Sequence, residues 1–175
     1  MNIFRSAGVA AGIIVGLVIA VIIFKVLNTD HKSRTEYDER QKEVRGRGYM
    51  FGFYTIIVYE CVMMLLEMSG IALHIENYVL HFAGIIIGGI VLCCYCIWND
   101  GYWGLNNNPR KYCIVFIITA ALNALPVIGA VKGGNFKEDG KLATPFLNIM
   151  VLIMLAIIGL VFLVKSISDN HNPEK

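Results

Sequence analysis

The chain has 175 residues, of which 57% are hydrophobic and only 16% charged, and its mean hydropathy is +0.63. That balance is too apolar for an ordinary soluble domain of this length and places the chain among membrane proteins. The formal charge is a small +2, with basic residues interspersed among acidic ones, so no nucleic-acid partner is expected.

A hydrocarbon core of about 30 Å takes about 20 helical residues to cross, because an unpaired backbone amide in lipid costs several kcal/mol. Five stretches qualify, and the expected fold class is an all-α, polytopic bundle of about five spans forming one membrane domain over residues 1–175. The first, Ala7–Leu27, follows Arg5 as a signal peptide would. It is longer than a typical signal core, has no clear small-x-small cleavage site, and carries Lys25 at its end with Lys32 beyond, so it is expected to remain as an anchor. Within it Gly8, Gly12 and Gly16, continued by Ala20, recur every four residues. Such a small-residue face lets two helices approach closely, either inside the bundle or in a homodimer. Gly84 and Gly88 repeat the pattern in the third span.

The polar segment Asn28–Gly48 contains Thr35–Arg47, read as a charged cytoplasmic helix with Thr35 and Asp38 in a capping pattern. Glu36–Arg40, Asp38–Lys42 and Glu43–Arg47 are acid-before-base pairs at four-residue spacing, each contributing roughly 0.2–0.5 kcal/mol on an exposed helix. Gly46 and Gly48 are expected to allow a bend before the membrane. This helix reads chiefly as a solvated, topology-enforcing element; its functional alternative is a docking surface for a partner or for anionic lipid, and its acids argue against strong lipid attraction.

The second span, Tyr49–Met68, carries Glu60, Met63, Met64 and Glu67 on one helical face. Carboxyls at membrane depth are costly, on the order of 2–3 kcal/mol each when central, and suit a proton carrier, a cation ligand or a hydrogen-bonded contact. A short turn with His74 and Glu76 leads to His81 and the third span, Tyr78–Trp98, which ends in Cys93, Cys94 and Cys96 and is followed by Asp100. The histidines suggest a metal or pH site only weakly. The cysteines, with Cys61, Met63 and Met64, would suit a soft metal, yet their spacing matches no strong metal geometry and free cysteine commonly packs as a small apolar residue. All five cysteines, Cys113 included, lie in apolar runs, so no disulfide framework is expected. The fourth span, Tyr112–Val131, holds Pro126, which frees the Leu122 carbonyl and predicts a kink, with Asn123 one turn away to satisfy a polar group. The fifth runs over Phe146–Val164.

With the N-terminus outside, eleven of the fifteen Lys and Arg fall on the cytoplasmic side and only Arg5, Lys132, Lys137 and Lys141 outside, so the C-terminus is expected in the cytoplasm. No nucleophile elbow, H-E-x-x-H, phosphate loop or paired His–Asp arrangement occurs; no catalytic residue, cofactor or metal is expected.

Tyr37-Asp38-Glu39-Arg40-Gln41, followed by Gly46-Arg47-Gly48-Tyr49, resembles the Asp-Glu-Arg-Gln element that precedes the second span in small uncharacterised polytopic membrane proteins of Gram-positive bacteria. The resemblance implies a bacterial plasma membrane and carries no activity with it. The leading functional expectation is therefore a non-enzymatic accessory or regulatory subunit, with membrane lipids and either a second copy or another membrane protein as partners. The alternatives are a small proton- or cation-coupled transporter or channel using Glu60 with Asn123 and Pro126, and an intramembrane enzyme.

Overall fold

The structure, a computed structural model, describes residues 3–30, 34–71, 73–138, 141–142 and 144–171. It is all-α in its membrane part: α1 (Ile3–Leu27), α2 (Glu39–Met68), α3 (Asn77–Trp98), α4 (Pro109–Gly133) and α5 (Thr144–His171). Among the described residues four helices, α2 to α5, are long and apolar enough to cross a membrane, and α1 adds the apolar stretch Ile14–Leu27. The chain is thus a multi-pass membrane protein by the length and composition of its helices. A two-stranded antiparallel hairpin, β1 (Lys137–Glu138) and β2 (Lys141–Leu142), occupies the connection between α4 and α5.

The helices stack as a row, α2 against α3, α3 against α5, and α5 against α4. Among the described residues, helix α1 packs broadly along none of them. The connections gather at two opposite ends. At one end the α1–α2 linker meets the α3–α4 loop, with Thr29 N–H donating to the Asn106 carbonyl at 2.8 Å and Leu105 N–H to that of Glu36 at 2.8 Å. At the other, the α2–α3 turn meets the hairpin, where Leu142 N–H donates to the His74 carbonyl at 3.0 Å and Glu76 N–H to that of Leu142 at 3.1 Å.

Two sequence expectations change here. The charged helix starts at Glu39 instead of Thr35, because the cap is Asp38: its carboxylate accepts from Gln41 N–H at 2.7 Å, and Gln41 Oε1 accepts from Asp38 N–H at 3.3 Å. It also continues as α-helix through Gly46 and Gly48 into the second span, so α2 is one helix of 30 residues, about 45 Å long at 1.5 Å per residue. Gly48 faces α3 in tight packing: a Cβ at Gly48 would stand 2.9 Å from Cys96 Sγ, and one at Gly52 2.9 Å from the Gly88 carbonyl oxygen. On α3, a Cβ at Gly88 would meet Ile56 at 2.5 Å, and one at Gly84 would meet Tyr59 at 2.6 Å. Gly48 and Gly52 against Gly84 and Gly88 therefore form the small-residue seam of the bundle.

Of the expected ion pairs on the charged helix, Glu43–Arg47 forms at 2.8 Å, whereas Lys42 turns to Glu39 at 2.6 Å and Arg40 reaches across to Asp100 at 3.6 Å. Asn108 caps α4 by accepting from Arg110 and Lys111 N–H, with Pro109 in the first turn.

Adding side chains at the seam tests this packing. Gly52→Val is expected to lower thermal stability in detergent by about 1–3 kcal/mol through overpacking against a carbonyl that cannot withdraw. At Gly46, where a Cβ meets nothing within 4 Å, Gly46→Ala should be neutral or stabilise by about 0.5–1 kcal/mol.

Candidate functional site

The densest polar constellation lies where the α1–α2 linker, the α3–α4 loop and the ends of α2 and α5 meet. Asn106 is its centre and is buried. Its Oδ1 accepts from Glu36 N–H at 2.9 Å, and its Nδ2 donates to both Asp30 carboxylate oxygens and to the Arg34 carbonyl, each at 3.1 Å. Its own carbonyl takes the N–H and the hydroxyl of Thr29. Every polar group of that side chain is thereby used, as burial requires.

The same loop is tied to α2 by Gln41, whose Nε2 donates to the Trp103 carbonyl at 2.9 Å and to that of Asp100 at 3.4 Å. The residue that closes the cap of α2 therefore also anchors the loop. Arg45 stacks over Tyr37 at 4.2 Å, donates to Tyr49 Oη at 2.9 Å and reaches the Gly101 carbonyl at 3.4 Å. Two glycines make this close crossing possible. A Cβ at Gly101 would stand 2.5 Å from Val44, and one at Gly104 would collide with the Thr35 methyl group.

Asp100 has φ 57°, a left-handed conformation tolerated by Asp better than by most residues. Its carboxylate lies 3.2 Å from Lys165 Nζ, which also meets Asp169 at 2.9 Å. A cavity of about 270 Å³ opens here, lined by Gln41, Asp100, Trp103, Phe162, Lys165 and Asp169 among others. Burial pushes the Tyr102 hydroxyl up to about 12 from an ordinary 10.0, reinforced by Cys93, Tyr112 and Tyr37 and partly offset by Arg45. Tyr37 is likewise raised by burial, with Arg45 opposing.

At the opposite end of the α2–α3 seam, Glu60 Oε2 lies 2.8 Å from His81 Nδ1. This partnership joins two residues that the sequence shows only separately. Glu67 is exposed on the last turn of α2. His74 and Glu76 do not gather with His81: Glu76 faces Lys141 at 3.7 Å. Asn123 stands on α4, where its Nδ2 donates to the Thr119 carbonyl at 2.8 Å and not to the carbonyl freed by Pro126. With α3 and α5 between α2 and α4, Glu60 is not brought to Asn123 or Pro126.

Among the described residues no three His, Cys, Asp or Glu side chains group as metal ligands. Cys96 is buried against Gly48, whereas Cys61, Met63 and Met64 sit near the far end of α2. All five cysteines are free. The surroundings of Gly8 and Gly12 lie outside the described residues; a Cβ at Gly16 would meet nothing within 4 Å.

Sequence reasoning did not find Asn106, Asp30 or the second role of Gln41. The one local signal is Asn108-Pro109, a helix-start signature that marks where the loop must end. No protein-family model, curated protein or solved structure matches the chain.

Asn106→Ala removes the centre of this crossing and leaves buried donors and acceptors unpaired, at a cost on the order of 2–4 kcal/mol. Denaturant unfolding should report that loss, together with faster proteolysis of the linker. Because the unfolded chain releases the Tyr102 proton first, stability falls as pH rises between the ordinary 10.0 and about 12. Unfolding of Tyr102→Phe across that window should show a shallower decline.

Proposed function

We propose that the chain is a non-enzymatic accessory subunit of a bacterial plasma membrane, with its N-terminus outside, that binds a membrane-protein partner through α1. One observation carries this reading. Among the described residues, helix α1 is tied to the bundle at its C-terminal end, by Lys111 Nζ donating to the Val26 carbonyl at 2.8 Å and by the pairing of Asn28 with Asn107. The rest of its described length, from Ile14 to Val26, exposes large apolar side chains and the open Gly16 surface. A helix presented this way can pack a small-residue face against another helix. The orientation rests on the clamped end, which collects Arg34, Arg40, Arg45, Lys111 and Lys165.

A second reading, a small proton-coupled transporter, draws on the Glu60–His81 hydrogen bond at 2.8 Å. Proton flux in liposomes that is unchanged by Glu60→Gln would remove it.

The primary test compares two glycines with equally open surroundings, Gly16 on α1 and Gly129 on α4. After mild crosslinking in membranes, Gly16→Ile is expected to lower partner recovery about tenfold, equivalent to 1.4 kcal/mol, while Gly129→Ile leaves it unchanged. Equal recovery from both variants, or an uncrosslinked monomer in every case, contradicts the reading.

A further inference from the structure

The pair Glu60–His81 lies inside the apolar part of the bundle and faces out of it. Glu60 stands eight residues before the end of α2 at Met68 and His81 four residues after the start of α3 at Asn77, roughly 12 and 6 Å below those ends at 1.5 Å per residue. Yet the two side chains are 38% and 50% exposed. Around them Ile57, Met64 and Ile85 are exposed as well, so the outward surface is apolar with one ionisable pair at its centre. Hydrocarbon cannot solvate such a pair, and ionisable groups at this depth face protein or one another. Glu60 Oε1 already rests against the seam, 3.1 Å from where a Cβ of Gly84 would stand.

The pair also has bonding capacity left over. His81 uses Nδ1 for Glu60, and its Nε2 bonds to no other described residue. The Glu60 carboxylate retains lone pairs beyond the one His81 occupies.

We propose that this face is covered by a second copy of the chain, related by a two-fold axis passing between the two Glu60–His81 pairs. The argument is charge complementarity. In an isologous contact each residue meets its counterpart's partner. His81 of each copy then bonds its own Glu60 through Nδ1 and Glu60 of the other copy through Nε2. Two Glu60 carboxyls and two His81 rings, acidic groups facing basic ones, then close a ring of hydrogen bonds, shielded from lipid by Ile57, Met64 and Ile85 of both copies. Interhelical hydrogen bonds of this kind hold membrane helices together where lipid removes the hydrophobic drive. This interface lies on α2 and α3 and is independent of the α1 surface assigned to a partner above.

The test is disulfide crosslinking of the full-length chain in membranes on a cysteine-free background, with single cysteines at Ile85 or Met64, and at Leu160 on α5 as the control. Positions close to a two-fold axis crosslink to themselves, since a disulfide needs Cβ atoms about 3.5–4.5 Å apart. Ile85→Cys or Met64→Cys should give covalent dimers and Leu160→Cys should not. Adding His81→Phe or Glu60→Gln should lower the dimer yield about tenfold. The reciprocal variant, Glu60→His with His81→Glu, keeps the ring and should restore the yield, which separates loss of the interface from loss of the fold. Equal yields at Ile85 and Leu160, or a dimer yield unmoved by both single variants, overturn the proposal. Gly16→Ile should leave this crosslink intact, so failure of the α1 reading and failure of this one are read separately.

Discussion

Asn106 is buried where the α1–α2 linker crosses the α3–α4 loop, and the bonds around it set the end of α1, the entry to α2 and the course of the loop between α3 and α4. A typical hydrogen bond adds only about 0.5–1.5 kcal/mol net, but a stranded buried donor or acceptor costs about 1–3 kcal/mol. The crossing is therefore held less by the gain of each bond than by the loss that follows from breaking any of them. Gly104 permits the close approach, and Gln41 carries the constraint into the first turn of α2.

From that fixed entry α2 meets α3 along a seam in which each glycine receives a side chain or the backbone of the other helix. Gly52 and Gly88 face each other across it, with Ile56 and Tyr59 covering the glycines of the opposite helix. Helices α5 and α4 follow in the row. The chain thus divides into a tightly joined α2–α3 pair carrying Glu60 and His81, further helices beside it, and α1 standing off at one end.

The five helices were legible in the sequence because lipid demands long uninterrupted apolar runs, a signal carried by composition alone. Their ends were less so. Gly46 and Gly48 read as a bend because glycine costs about 1 kcal/mol in a helix interior; Cys96, whose close approach calls for a glycine at position 48, belongs to another helix. The clamp was illegible for the same reason, since Asn106 bonds to residues 70 to 77 positions away. Of the candidate polar groups, Glu60 was legible as a costly carboxyl, but its bond to His81 is a tertiary fact. Asn123 was expected to serve the carbonyl freed by Pro126 and instead bonds within its own turn, because Thr119 lies one turn back at the spacing that an Asn side chain reaches.

The unbroken length of α2 joins two distant contacts. Gln41 grips the loop at one end and Glu60 holds His81 nearer the other, about 28 Å apart at 1.5 Å per residue. Over that span α2 is one continuous α-helix. The grip on the loop and the bond to His81 thus belong to one secondary-structure element, so the two contacts cannot be set independently in the sequence of α2.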